Sequence, residues 1–122
     1  MVVIPGRRGA SDTPRISVTA PKSSRQMRIA FNASLVTKAK LSEFRYVALE
    51  HDEERKRLKF VPCEGVYAGQ PAHKLLTDGG KQTASRIILV SREGLEFLPL
   101  RPYEPQFARN ARSFEIDYGV AT

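Results

Sequence analysis

The stretch Arg28–Pro62, RIAFNASLVTKAKLSEFRYVALEHDEERKRLKFVP, decides the fold. Met27, Ile29 and Phe31 alternate with Arg28 and Ala30, the period of a half-buried strand. Asn32 follows at the point where a helix begins, and its side chain suits the free N–H groups of a first turn. Leu35, Val36, Ala39 and Leu41 then recur at helical spacing, with Lys38 and Lys40 at the end that favours positive charge. Tyr46–Glu50 reads as a second strand, His51–Arg55 as a charged turn, and Lys56–Val61 as the return strand, stopped by Pro62. Strand, short capped helix and hairpin define the class as α+β. The expected architecture is a small, mostly antiparallel β-sheet or open barrel with one or two short helices.

Outward from this centre the signals weaken. Toward the N-terminus, Arg15–Thr19 alternates as a strand, while Pro5, Gly6, Gly9, Ser11 and Pro14 break residues 1–15 into a basic flexible arm. Toward the C-terminus, residues 63–85 are rich in turn signals, with a short strand at Ala72–Leu76 that pairs with a buried strand ending at Val90. Ser91–Leu98 reads either as a second short capped helix or as a turn and strand. The layout "Arg-Ile, cap, short helix" thus stands at both Arg28 and Arg86, too loosely to define a repeat. Pro99, Pro102 and Pro105 keep residues 99–106 extended. Phe114–Tyr118 alternates as a final strand, expected on a sheet edge or donated to a second subunit. The division expected is an arm (1–15), one α+β domain (16–100) and a C-terminal extension with a final strand (101–122).

Charge bounds the partners. Lys and Arg number 20 against 13 acids in 122 residues, a formal +7. Residues 1–28 carry six bases (Arg7, Arg8, Arg15, Lys22, Arg25, Arg28) and one acid, Asp12; the remainder carries 14 bases against 12 acids. Such a balance favours a polyanion, and a basic arm grips phosphates without reading bases. The candidate nucleic-acid-binding residues are Arg7, Arg8, Arg25, Arg28, Lys38, Lys40 and Arg45. Aromatic residues are few and fall at core-like strand positions, so contacts to a duplex backbone are favoured over base stacking.

Other chemistries lack their residues. Cys63 stands alone, which excludes a disulfide within the chain and leaves no cysteine metal cluster. His51 and His73 have no motif around them, and GxSxG, HExxH and phosphate-loop patterns are missing. No enzyme activity, cofactor, metal or small-molecule substrate is expected. Neither an apolar run of membrane-spanning length nor a secretory leader is visible, so a cytoplasmic protein with no membrane partner is expected.

Arg28–Pro62 resembles the swapped-hairpin DNA-binding domain of AbrB-type transition-state regulators. The resemblance is one of order across these 35 residues: strand, cap, short helix, connection, hairpin, Pro. That family has a Pro at the helix start and a Gly-Asp before the hairpin, where this chain has Asn32 and Glu43-Phe44-Arg45. The resemblance implies an interlocked homodimer that grips DNA with Arg25, Arg28, Lys38, Lys40 and Arg45. The functional expectation is a small basic DNA-binding protein, a transcription regulator or phage accessory factor, with DNA favoured over RNA and a homo-oligomer as the working form. The competing expectation is a non-enzymatic structural or interaction component, a virion-assembly or inhibitor protein that docks by strand addition.

Overall fold

The structure, a computed structural model, describes residues 13–20, 25–77, 85–109 and 113–119. Arg7 and Arg8 lie outside the described residues. Among the described residues twelve strands form: β1 (Ile16–Thr19), β2 (Gln26–Phe31), β3 (Tyr46–Asp52), β4 (Arg57–Cys63), β5 (Val66–Tyr67), β6 (Gln70–Pro71), β7 (His73–Lys74), β8 (Leu76–Thr77), β9 (Arg86–Ser91), β10 (Pro102–Tyr103), β11 (Gln106–Phe107) and β12 (Phe114–Asp117). The α-helix α1 (Ala33–Ala39) links β2 to β3 through a short 3-10 turn, Leu41–Glu43. The class is small α+β, built on antiparallel sheets, as expected.

Two five-stranded sheets carry the fold, ordered β10-β1-β2-β9-β8 and β11-β12-β4-β3-β7. Their edges are not free. Residues 73–77 leave β3 and continue onto β9, with the Leu75 N–H still bonded to the Arg45 carbonyl at 2.8 Å. Residues 102–107 likewise leave β1 and continue onto β12. The pairings therefore close into a flattened barrel, which leaves its strands no long open edge. Inside, Phe31 from one sheet meets Phe60 and Phe114 from the other, edge-on at 5.6 and 5.8 Å between ring centroids. All three are fully buried, with Ile16, Ile29, Leu58, Ile88 and Ile116 around them.

Asn32 does more than the sequence promised. Its Oδ1 caps the helix by accepting from the Leu35 N–H at 3.0 Å and also accepts from the Arg15 N–H at 3.0 Å. Its Nδ2 donates to the Thr13 carbonyl at 2.9 Å. One side chain thus starts the helix and ties down the segment ahead of β1. Asn32→Ala is expected to cost about 1–2 kcal/mol, the scale of a lost N-cap. Asn32→Asp, which keeps the cap acceptor and loses the tether donor, should cost less. The urea midpoints of the two variants check both expectations.

Three expectations need correction. Pro62 does not stop the ladder: β4 runs through it to Cys63, with Val47 opposite Pro62. Pairing with β12 ends at Phe60, so Pro62 lies where β4 has one neighbour only and a missing N–H is tolerated. The final strand is not at an edge, because β12 sits between β4 and β11. Phe114 and Ile116 are as buried as any core residue, which is what draws the strand inward. Ser91 caps no α-helix: Arg92–Gly94 is a single 3-10 turn without a side-chain cap bond.

The pairing scheme repeats. β1 lies against β2, which leads through α1 to the β3–β4 hairpin. In the second half β8 lies against β9, which leads through the 92–94 turn to the β11–β12 hairpin. Matched in order, Ile16 corresponds to His73, Ile29 to Ile88, Val47 to Tyr103 and Phe60 to Ile116. The registers agree across the halves: Ile16 faces Tyr103 as His73 faces Val47, Ile29 faces Ile88, and Leu58 faces Ile116 as Phe60 faces Phe114. The barrel is thus a pseudo-twofold pair of halves, 16–63 and 73–117. α1 closes one end; the 92–94 turn, with the buried Leu95 and Leu98, closes the other. Between the halves, β5 and β6 form a hairpin that folds back over β3. Glu50 accepts a hydrogen bond from the Tyr67 hydroxyl there, which holds that phenol above its ordinary pKa.

Candidate nucleic-acid interface

Three of the seven expected basic residues gather at the end closed by α1. Lys38 projects from the last turn of the helix and places its Nζ 4.5 Å from the centre of the Phe107 ring. Lys40 caps the helix in the left-handed region (φ 54°) and is exposed. Arg45 is exposed just before β3, where its carbonyl receives the Leu75 N–H. Sequence reasoning missed two further bases at this end. Arg86 faces Phe31 across the β2–β9 ladder and lines a groove with Val36, Thr37, Lys40, Ser42 and Glu43. Lys74, exposed, faces Tyr46. The signal for Arg86 was the second Arg-Ile layout, whose strand turns out to be the partner of the first.

The segment leading back to the basic arm arrives at the same place. Thr13 and Arg15 are held by Asn32 at the helix start, so the described chain begins at the α1 end of the barrel. Acids are sparse here, with Glu43 in the groove and Glu64 after β4. His73 sits half-buried against β3, and burial lowers its pKa below the ordinary histidine value, so it adds no charge near pH 7.

The other two candidates fall elsewhere. Arg28 lies on the outer face of the β1–β2–β9 wall, in a row with Thr19 and Leu89. The next row, Ser17, Ala30, Ile87 and Leu76, carries no charge. Arg25 lies at the opposite end, where its carbonyl accepts from the Arg92 N–H.

The two outer faces differ in sign. On the β3–β4–β12 wall, Asp52, Arg57 and Asp117 form one row and Glu50, Lys59 and Glu115 the next. The Arg57 guanidinium pairs with Glu115 and lies 3.9 Å from Asp117. Four carboxylates against two cations make this wall a poor phosphate surface. The β1–β2–β9 wall, with Arg28 and no acid in these rows, adjoins the basic end without repelling a polyanion.

Among the described residues no group of three or more His, Cys, Asp or Glu could hold a metal, and Cys63 is a half-buried free thiol. No described helix is long and apolar enough to cross a membrane. No family model, curated protein or solved structure matches this chain.

Proposed function

We propose that the protein binds nucleic acid, DNA in preference to RNA, through the end of the barrel closed by α1. The observation that carries this is the convergence of Lys38, Lys40, Arg45, Lys74 and Arg86 on the end where Asn32 holds Thr13 and Arg15; Arg7 and Arg8 join the proposal on their sequence alone. A rigid end and a basic arm can grip one backbone from two sides, as phosphate contacts position a protein without reading sequence. Arg28 extends the contact along the acid-free wall, while Arg25 is left out of it. The role is non-enzymatic, that of a cytoplasmic regulator or phage accessory factor. The AbrB-like resemblance of residues 28–62 belongs to the same proposal, on the sequence pattern that suggested it. A homo-oligomer is part of it too, and would join two closed barrels side by side.

The test is a binding titration of the full chain against duplex and single-stranded DNA across a salt series. The expected result is tight binding at low salt and a linear fall of log K with log salt, steeper for duplex. Absence of binding at low salt, or binding without a salt slope, overturns the proposal.

A second reading, docking to another protein by strand addition, is favoured by one feature. β5 and β6 pair only with each other, and Val66 on β5 is 71% exposed, the most exposed large apolar residue described. If that reading is right, Val66→Lys abolishes co-purification of a partner and leaves DNA binding unchanged.

A further inference from the structure

The end of the barrel opposite α1 carries a cluster that nucleic-acid binding does not use. Phe97 lies flat on the His51 ring, with centroids 3.8 Å apart and planes 2° from parallel. Tyr118 tilts against both, 5.0 Å from Phe97 and 5.7 Å from His51, and its hydroxyl meets His51 Nε2 at 2.6 Å. None of these rings is in the core: His51 is exposed, and Phe97 and Tyr118 are half-buried. Their positions are nevertheless fixed. The Tyr118 N–H donates to the Lys56 carbonyl at 3.0 Å, and its carbonyl accepts from Arg101 Nη2 at 3.2 Å.

A groove opens beside the rings, lined by Glu53, Lys56, Phe97, Pro99, Tyr118 and Gly119. Its walls combine the apolar and aromatic Phe97, Pro99 and Tyr118 with the charged Glu53 and Lys56, and carboxylates surround the phenol. Burial raises the Tyr118 pKa above the usual tyrosine value, and the carboxylates of Glu53, Asp52 and Asp117 push it further in the same direction. Two of those carboxylates are engaged: Asp117 lies near Arg57 and accepts from the Gly119 N–H, and Asp52 accepts from the Arg55 N–H. Glu53 forms no ion pair among the described residues. The stem of Lys56 lies along Gly119, where an added Cβ would meet its Cδ at 2.8 Å.

We propose that this groove is a docking site for a cationic side chain, a lysine or arginine carried by an extended segment of a partner protein. The methylene stem would lie along Phe97 and Pro99, as long basic side chains bury their stems and keep the charge at a polar rim. The charged head would sit against the Tyr118 and Phe97 rings, attracted by their negative faces, and would pair with Glu53. Lys56 borders the same groove and opposes this charge. With nucleic acid at one end and a basic segment at the other, the barrel acts as an adaptor between the two.

The experiment is an NMR titration of the full chain with acetyl-Gly-Arg-Gly-amide and acetyl-Gly-Lys-Gly-amide, following the Tyr118 and His51 ring protons. Acetyl-Gly-Glu-Gly-amide is the control. The expected result is a saturable shift with the two cationic peptides and none with the anionic one. Glu53→Gln should weaken the cationic peptides about threefold, and Lys56→Gln should strengthen them by a similar factor, as removal of an attractive and a repulsive surface charge requires. Both residues are exposed, so both variants keep the fold, which far-UV circular dichroism confirms. No saturable shift, an equal response to the glutamate peptide, or a Glu53→Gln variant that binds like the parent overturns the proposal.

Discussion

Phe60→Ala is expected to destabilise the protein by about 3–5 kcal/mol, the cost of emptying a large aromatic site in a closed core. Phe60 is fully buried and packs on Phe114 from the neighbouring strand at 5.3 Å and on Phe31 from the opposite sheet at 5.6 Å. Phe31 also meets Phe114 at 5.8 Å, so the three rings form one triad across the two walls and Phe60 touches both of the others. A domain of this size has about 5–15 kcal/mol to lose, so the variant should be mostly unfolded in mild denaturant. Urea unfolding followed by near-UV circular dichroism measures the loss. Phe60→Leu, which keeps most of the volume, should lose far less. A loss for Phe60→Ala below about 1.5 kcal/mol would mean that the triad is not where the walls lock.

The second large effect is on binding. Lys38→Gln, Lys40→Gln and Arg45→Gln, combined, should lower duplex affinity at least about tenfold near physiological salt and flatten the salt slope by two to three, roughly one for each phosphate no longer neutralised. Arg25→Gln is the control at the far end of the barrel and should change neither quantity. All four side chains are exposed, so stability should hold throughout. A triple variant that keeps the parental slope would move the contact away from the α1 end, and an equal effect from Arg25→Gln would show that only net charge matters.

The sequence carried the local half of this structure. The alternation of Met27, Ile29 and Phe31, the cap at Asn32 and the β3–β4 hairpin are short-range patterns, and each appears in place. Partner choice was not legible. β12 reads as an edge strand because its alternation says which face is buried and nothing about how many neighbours it has. β7, β8, β10 and β11 are two residues each, too short to show a period, yet they close the barrel. Pro62 misled for the same reason, since a missing N–H matters only on the side where a neighbour waits.

The basic end was legible to the same degree. Lys38, Lys40 and Arg45 are neighbours along the chain, so a short connection keeps them together in space. Arg25 and Arg28 looked like part of that group by sequence distance. β2 carries them away, one along its outer face and the other to its far end. Arg86 arrives by the opposite route, distant in sequence and delivered by pairing to Phe31. A basic surface made of residues from separate strands appears only once the register is known.

The pseudo-twofold pairing bears on how the protein comes into being. β2 with β9, β4 with β12, β1 with β10 and β3 with β7 are all bonds between one half and the other. While the chain is being made, the first half emerges with Phe31 and Phe60 but without β9, β12 and Phe114, which complete their enclosure. Phe114, which packs on both, lies in the second half and leaves the ribosome after them. Productive folding therefore waits for the second half, and its rate is set by joining distant segments, the slow regime of high contact order. Until then the nascent first half is a natural client for a chaperone that holds exposed aromatic strands.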